Sequence, residues 1–202
     1  MTWEIEAEYR LKYSTLCGID EAGRGPLCGP VAAGAVILPD GFDLSGLNDS
    51  KKLSEARREA LYERIVRDCE WCVGFASPEE IDAYNILNAT YLAMRRAVEG
   101  LPRRPAFALV DGNRVSGLPI PAECVVKGDA KCPSISAASI IAKVSRDRVM
   151  KQLAQEYPQY ELEKHKGYPT KEHYRLIFQH GVAPIYRKSF LKTLQQHREE
   201  TE

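Results

Sequence analysis

The sequence predicts an α/β fold in which a five-stranded mixed sheet is flanked by helices. Two patterns lead to this class. The first apolar segments follow one another across short links, which favours antiparallel pairing, whereas the later ones are reached through helical crossovers, which favours parallel pairing. The helical pattern continues after the last strand. We therefore expect a main unit at 1–157 and a C-terminal helical extension at 158–202 that packs on it.

Five apolar segments are the predicted strands. The small-apolar run VAAGAVIL at 31–38 is typical of a strand that is buried on both faces. Acids, glycines or prolines follow these segments and are expected to end them. The strands are predicted at 15–19, 31–38, 69–76, 106–112 and 122–126.

Capping residues set the limits of the predicted helices. Ser54, Ser77 and Thr170 each precede a helical pattern, as N-cap residues do. Pro78 suits a first helical turn, and Gly181 suits a C-terminal stop. The helices are predicted at 54–68, in a stretch that begins at 78, and at 85–101, 134–156 and 170–179.

Composition excludes few classes of protein. The hydrophobic fraction is 44% and the charged fraction is 28%, which is ordinary for a soluble globular protein. No apolar run is long enough to cross a bilayer, and the acidic N-terminus does not resemble a secretory signal, so we expect a cytoplasmic protein. A monomer is the default expectation. The net charge of zero does not exclude a nucleic-acid partner, because that electrostatic footprint is local.

The six cysteines show no spacing typical of a disulfide framework. The CEWC segment at 69–72 could be a redox pair or half of a zinc site. It is more simply the start of a strand, because no second such pair and no histidine pair at zinc spacing accompanies it. A thiol redox protein remains an alternative.

Four acids follow apolar strands: Asp20, Glu21, Asp111 and Asp129. Strand ends that meet at one edge of a sheet would bring these carboxylates together, and each would raise the pKa of the others. A divalent cation relieves that repulsion, and ligation by oxygen alone points to Mg²⁺ or Mn²⁺. The alternative is that each acid only ends its strand and binds turn amides. Because side chains alternate along a strand, we expect Glu21 to lie where the strand gives way to a turn.

Six segments together resemble ribonuclease HII of the bacterial type: GIDEAGRGPLCGPV, NDSKKLS, LVDGNR, KGDA, ISAASIIAKVSRD and HKGYPT. They occur in the order of the family from Gly18 to about Phe190, over nearly the whole chain. The Gly-Arg-Gly triplet at 23–25 favours this family over ribonuclease HIII, which has lysine between the glycines and a large additional N-terminal domain. The departures are near the end, where the tail after Phe190 is expected to be a further helix or frayed.

The resemblance implies an RNase H-like catalytic domain at 1–157. It implies that Asp20, Glu21, Asp111 and Asp129 are the catalytic ligands of two divalent ions, Mn²⁺ or Mg²⁺. The implied substrates are ribonucleotide-containing duplex DNA and RNA/DNA hybrids. Cleavage on the 5′ side of a ribonucleotide would leave 3′-hydroxyl and 5′-phosphate ends and would remove misincorporated ribonucleotides.

The resemblance also assigns residues that recognise the substrate. The backbone of Gly23, Arg24 and Gly25 is implied to contact the 2′-hydroxyl, since glycines let a backbone approach a sugar closely. Tyr168 is implied to pack on a neighbouring sugar. The alternatives are a tight turn with a solvated arginine, and a tyrosine that only holds its loop against the core.

Cations near these motifs are candidates for phosphate contacts. We assign Lys51, Lys143 and Arg146 to this role, with ordinary solvated side chains as the alternative. Asp49 and Asp147 are left out of the metal set, because Asp49 suits a cap or turn and Asp147 is expected to pair locally.

Neither of two nearby histidines is expected to act as a general base: His165 and His173 are interpreted as structural or as facing the substrate. Two other functions stay open. One is a module that binds RNA/DNA hybrids without cleaving them, and the other is a nuclease that prefers long hybrids to single ribonucleotides.

Overall fold

The structure, a computed structural model, describes residues 1–48, 50, 53–192 and 194. Its sheet has the order β3-β2-β1-β4-β5. β2 pairs antiparallel with β1 and β3, whereas β4 pairs parallel with β1 and β5, which confirms the predicted mixed sheet. The strands are β1 (Leu16–Ala22), β2 (Val31–Ile37), β3 (Glu70–Ala76), β4 (Phe107–Asp111) and β5 (Ala122–Val125).

The described residues also form six α-helices and three short 3-10 helices. The α-helices are α1 (Glu4–Lys12), α2 (Glu55–Asp68), α3 (Pro78–Glu99), α4 (Pro133–Glu156), α5 (Leu162–His165) and α6 (Lys171–His180). The 3-10 helices are Gly128–Ala130, Pro158–Tyr160 and Lys188–Phe190. None of the helices in these described ranges is long and apolar enough to span a membrane.

The predicted caps begin the helices as expected. Ser54 accepts a hydrogen bond from the amide of Arg57, and Thr170 accepts one from the amide of His173. Ser77 and Glu80 form a capping box, in which each side chain accepts from the other residue's amide. These bonds satisfy amides that the first helical turn leaves without partners.

Glycines in the strands allow helices to lie close to both faces of the sheet. A Cβ added to Gly18 in β1 would overlap the backbone of Ser134 at the start of α4. On the opposite face, a Cβ on Gly74 in β3 would overlap the backbone of Ala93 in α3. The start of α4 is therefore held directly against β1, two residues before Asp20.

The C-terminal segment has its own apolar cluster. Tyr160, Leu162, Ile177 and Tyr186 pack with Met150 near the end of α4. Residues of the loop after β1 belong to the same cluster, which joins that loop to the C-terminal segment: Leu27 and Cys28.

Helix α1 and strand β1 differ from the sequence-based expectations. α1 was not predicted, because its most buried side chain is Glu6, and the apolar residues that pack against the core, Ile5 and Tyr9, make only a short stripe. Strand β1 extends to Ala22 instead of ending at Ile19, since Glu21 pairs with Ala33 of β2. The two helices expected on either side of position 85 are present within α3, which is kinked at Asn85 (φ 65°, ψ 164°), and Oδ1 of Asn85 accepts from the amides of Leu87 and Asn88 as an N-cap does.

Candidate active site

Three of the four predicted acids lie at the carboxyl ends of neighbouring parallel strands. Ile19 of β1 aligns with Val110 of β4, so Asp20 and Asp111 follow aligned positions. Asp111 in turn aligns with Val125, the last residue of β5. After a left-handed Lys127 (φ 57°), the chain turns into the 3-10 helix that carries Asp129. The topology thus brings the three aspartates to one edge of the sheet.

Backbone amides orient two of these carboxylates. The amide of Glu21 donates to Oδ1 of Asp20 at 2.7 Å, and the amide of Gly128 donates to Oδ1 of Asp111 at 2.7 Å. Position 128 has little room for a side chain, because a Cβ there would lie 2.5 Å from Cδ1 of Ile135 and 3.4 Å from Oδ1 of Asp111. The glycine therefore allows the backbone that precedes Asp129 to approach Asp111.

The charges of the four acids interact. Asp20 is only 7% exposed. Burial raises the pKa of Asp20 well above its usual value, and the charges of Glu21, Asp111 and Asp129 raise it further, against the lowering effect of the Glu21 amide. This is the electrostatic state expected of clustered acids without a cation.

The donor set fits a hard divalent cation, although it does not form a closed site. All four groups offer carboxylate oxygens, the donors that Mg²⁺ and Mn²⁺ favour. Across the described part of the chain, no set of three or more His, Cys, Asp or Glu side chains is already arranged to hold a metal ion. The fit therefore rests on the chemistry of the donors and on the raised pKa of Asp20.

Glu21 differs in position from the expectation. It lies inside β1 and pairs with Ala33, not in the turn that follows the strand. Side-chain alternation directs it away from Asp20. It lines a groove of about 250 Å³ between the acidic edge and α3, together with Arg24, Tyr91, Asp111 and Arg114. Oε1 of Glu21 is 3.4 Å from Nη1 of Arg24, so the acid also contacts the loop that follows β1.

Two glycines of that loop differ in whether the fold requires them. Gly23 has a φ of 93°, and a Cβ there would overlap the side chain of Arg146. The fold therefore requires glycine at position 23. Gly25 has no left-handed φ, and a Cβ there would meet only Cε1 of Tyr168, at an ordinary 3.7 Å. Nothing inside the described protein requires glycine at position 25.

Tyr168 lies beside Gly25 with its side chain 43% exposed. Its backbone is fixed, since its amide donates to the carbonyl of His165 at 2.9 Å and its carbonyl accepts from Nδ1 of His173 at 2.9 Å. The guanidinium of Arg146 is 6.0 Å from the centre of the tyrosine ring. An exposed ring on a fixed backbone is suited to contact with a ligand.

The two histidines hold this loop as neutral residues. His173 is fully buried and Nε2 accepts from the Tyr186 hydroxyl at 2.9 Å, which leaves the proton on Nδ1 for the carbonyl of Tyr168. The His165 ring stacks on His173 with centres 4.0 Å apart. Burial, and next the neighbouring His165, lower the pKa of His173 to about 4. These contacts are structural.

The predicted phosphate contacts have different environments. Nζ of Lys143 lies 2.6 Å from Asp147, which confirms the local pairing expected for Asp147. Arg146 is 1% exposed and donates to the carbonyls of Cys28, Pro30 and Lys166, so direct contact with a phosphate does not fit its position. Sequence reasoning placed Arg146 at the surface, because spacing along a helix does not reveal which face is covered. Lys51, like Asp49, lies outside the described residues.

Sequence reasoning missed Arg187. This side chain is fully buried and donates to four carbonyl oxygens of the loop after β1. The only signal was the basic pair in the YRKSF segment at 186–190, which resembled the family without indicating a partner.

The CEWC segment shows no features of a redox site. Both cysteines are free. Cys69 immediately precedes strand β3, and Cys72 lies within it. Burial raises the pKa of Cys69 to about 12 and also raises the pKa of Cys72. Their thiols therefore lack the lowered pKa that redox cysteines need.

Comparison with known proteins identifies the family. The family model "Ribonuclease HII" matches residues 17–193. Ribonuclease HII of Polynucleobacter asymbioticus is 57% identical over 180 residues, which cover 87% of this chain and 92% of that protein. Ribonuclease HII of Neisseria meningitidis serogroup B is 58% identical over 175 residues, covering 86% and 90%.

A solved structure agrees with the sequence relatives. The crystal structure of ribonuclease H2 from Pyrococcus horikoshii matches with a TM-score of 0.74 at 30% identity and covers 93% of this chain and 98% of that one. The chain therefore belongs to the ribonuclease HII family and is an enzyme of the ribonuclease H type.

Proposed function

We propose that this enzyme cleaves the phosphodiester on the 5′ side of ribonucleotides in duplex DNA, and the RNA strand of RNA/DNA hybrids. The products would carry 3′-hydroxyl and 5′-phosphate ends, and the biological result would be the removal of misincorporated ribonucleotides. The observation that carries this proposal is the open position at Gly25, which lies beside the exposed Tyr168 and next to Arg24, a neighbour of Glu21.

The acidic edge is the proposed catalytic centre. Asp20, Glu21, Asp111 and Asp129 would hold Mg²⁺ or Mn²⁺, and the raised pKa of Asp20 supports a role for a cation there. Two such ions, when bound, supply a Lewis acid that activates water and stabilises the leaving 3′-oxygen. The amides of Glu21 and Gly128 keep one oxygen of Asp20 and of Asp111 oriented before any ion arrives.

The proposed recognition of RNA depends on the loop after β1 and on Tyr168. A 2′-hydroxyl both donates and accepts hydrogen bonds, so a close backbone can detect it. The lack of a side chain at Gly25 leaves room for a sugar beside Tyr168, whose ring would pack on the adjacent sugar. Lys143 is the described cation that we retain for a phosphate contact, and the substrate phosphate would then compete with Asp147 for its ammonium group.

A cleavage assay tests the catalytic centre. A labelled duplex with one ribonucleotide would be incubated with Mg²⁺, with Mn²⁺ and with chelator, using the wild type, Asp129→Asn and Asp68→Asn. Asp68 is an exposed acid at the end of α2, outside the acidic edge, and its carboxylate pairs with the neighbouring Arg67. Its variant is therefore the matched control. We expect metal-dependent cleavage by the wild type and Asp68→Asn and a loss of at least a hundredfold in Asp129→Asn. Equal cleavage by the two variants would contradict the proposed centre.

A further inference from the structure

The C-terminal segment contributes a buried arginine to the loop that follows β1. Arg187 is fully buried. Its Nη2 donates to the carbonyl of Gly23 at 2.7 Å and its Nε to that of Gly29 at 3.0 Å. Its Nη1 donates to the carbonyls of Arg24 at 3.1 Å and of Pro26 at 2.8 Å. Four of the five N–H groups of one guanidinium are therefore used within this loop.

These bonds determine which groups the loop presents to the outside. In a trans peptide the C=O and the following N–H point in opposite directions, and no peptide in the described chain is cis. Arg187 draws the carbonyls of Gly23 and Arg24 inward. The amides that share those peptide planes, belonging to Arg24 and Gly25, must therefore point away from Arg187.

Arg187 is itself held in place by other elements. Its own amide donates to the carbonyl of Leu27 at 2.9 Å. The carboxylate of Asp82 in α3 accepts from the amides of Lys188 and Ser189 at 2.8 and 2.9 Å, and from the Ser189 hydroxyl at 2.6 Å. The guanidinium also lies 5.2 Å from the centre of the Phe190 ring. The donor array is thus pre-organised by its surroundings.

The geometry points to Arg187 as a positioning residue for ribonucleotide recognition, which holds the amides of Arg24 and Gly25 towards the sugar of the substrate. This inference rests on the proposed function. Detecting a single hydroxyl requires the recognising groups to be placed within about 0.5 Å. A loop with glycines at 23, 25 and 29 would not supply that precision alone, because glycine leaves the backbone free to adopt many conformations.

Arg146 has a separate role in the same region. It supports Cys28, Pro30 and Lys166, at the far end of the loop and at the Tyr168 segment, whereas Arg187 holds the residues around the Gly-Arg-Gly triplet. Lysine cannot replace Arg187, since its three donors converge on one point and cannot reach four separated carbonyls.

The test compares Arg187→Lys and Arg187→Met with Ile177→Ala. Ile177 is buried in the same C-terminal cluster and makes a cavity when truncated, so it controls for general destabilisation. Two DNA duplexes serve as substrates, and they differ at a single sugar, which carries a 2′-hydroxyl in one duplex and a 2′-fluoro group in the other. We measure kcat and KM on both, and hydrogen exchange of the peptides that cover residues 23–29.

We expect both Arg187 variants to lose at least tenfold in kcat/KM on the ribonucleotide duplex and to lose most of the preference for hydroxyl over fluoro. Exchange in residues 23–29 should become at least tenfold faster. Ile177→Ala should lose thermal stability while it keeps the preference. The inference is overturned if the Arg187 variants keep the wild-type preference and exchange pattern.

Asp82→Asn keeps the inference testable if the Arg187 variants do not fold. It weakens the support of residues 188 and 189 without removing the guanidinium, and a smaller loss in the same direction is expected. An unchanged preference in a folded Asp82→Asn with faster exchange at 23–29 would contradict the inference. If the wild type itself cleaves neither substrate, the proposed function fails first, and the two failures are therefore distinguishable.

Discussion

At the scale of single residues, Asp20 shows that the carboxylates of the site repel one another. Burial is the largest cause of the raised pKa of this carboxyl, and the charges of Glu21, Asp111 and Asp129 raise it further. A raised pKa in the folded state means that the ionised acid destabilises the fold. The penalty is fully present above the folded pKa, decreases as the pH falls below that value, and is gone below the unfolded pKa.

Asp20→Asn should therefore stabilise the metal-free protein at neutral pH. The variant removes the ionised carboxylate and keeps a side-chain oxygen that can accept from the Glu21 amide, so we expect a gain in the free energy of unfolding. The gain should vanish in acid, where the wild-type carboxyl is protonated. Urea unfolding with chelator at several pH values measures this, with Asp68→Asn as the control. Destabilisation by Asp20→Asn at neutral pH would show that the acids do not repel one another as described.

Gly23 and Gly25 should respond differently to the same substitution. Gly23→Ala must shift Arg146 and adopt a left-handed φ, so we expect a loss of about 1–3 kcal/mol in the free energy of unfolding. Gly25→Ala has room and no such φ, so stability should change by less than about 1 kcal/mol. Its cleavage of a ribonucleotide duplex should nevertheless fall at least tenfold. Thermal melts and initial rates separate the two effects, and a fully active Gly25→Ala would remove the proposed sugar contact.

At the scale of elements, the sequence predicted the units that have strong local signals. Ser54, Ser77 and Thr170 began helices as expected because an N-cap is a local interaction. Two features depended on distant partners and were missed. β1 continues through Glu21 because β2 pairs with it there, and α1 packs through the buried Glu6 beside only two partly buried apolar residues, Ile5 and Tyr9.

Glu6 of α1 should stabilise the start of α4. Its Oε1 accepts from the amide of Ser134 at 2.6 Å, and burial raises the pKa of the carboxyl. Glu6→Gln keeps an acceptor oxygen and should cost little. Glu6→Ala leaves the buried amide without that acceptor and should cost about 1–3 kcal/mol. Chemical denaturation distinguishes them, and equal losses in the two variants would mean that the hydrogen bond is not the stabilising contact.

The stacked histidines should make the C-terminal segment sensitive to acid. Since the pKa of His173 is lowered to about 4 from 6.5, the neutral ring stabilises the fold above pH 6.5, and this contribution is lost as the pH falls towards 4. The lowering of the His173 pKa from 6.5 to about 4 corresponds to about 3 kcal/mol in the free energy of unfolding. His173→Asn should flatten the pH dependence of the unfolding free energy between those values, whereas the exposed His180→Asn should not. Parallel curves for wild type and His173→Asn would contradict the neutral buried state.

At the scale of the whole molecule, the parallel arrangement of β1, β4 and β5 brings distant acids to one edge. The gathering of the acids at one edge could be predicted from the sequence, because apolar segments that end in acids indicate strand ends that meet there. The burial of Arg146 and the four bonds of Arg187 could not be predicted, because they depend on contacts between segments more than 100 residues apart. The position of Glu21 inside β1 depends on the pairing of that strand with β2, which the local sequence does not reveal.

The position of the cut in a duplex with one ribonucleotide shows whether the enzyme recognises a single 2′-hydroxyl. A 5′-labelled strand, incubated with Mg²⁺ or Mn²⁺, would be resolved at single-nucleotide precision beside an all-DNA duplex and an RNA/DNA hybrid. We expect one product, which ends in a 3′-hydroxyl immediately before the ribonucleotide, and no cleavage of the all-DNA duplex. Cleavage of the hybrid alone would contradict the recognition of a single 2′-hydroxyl by the loop at 23–25 and Tyr168.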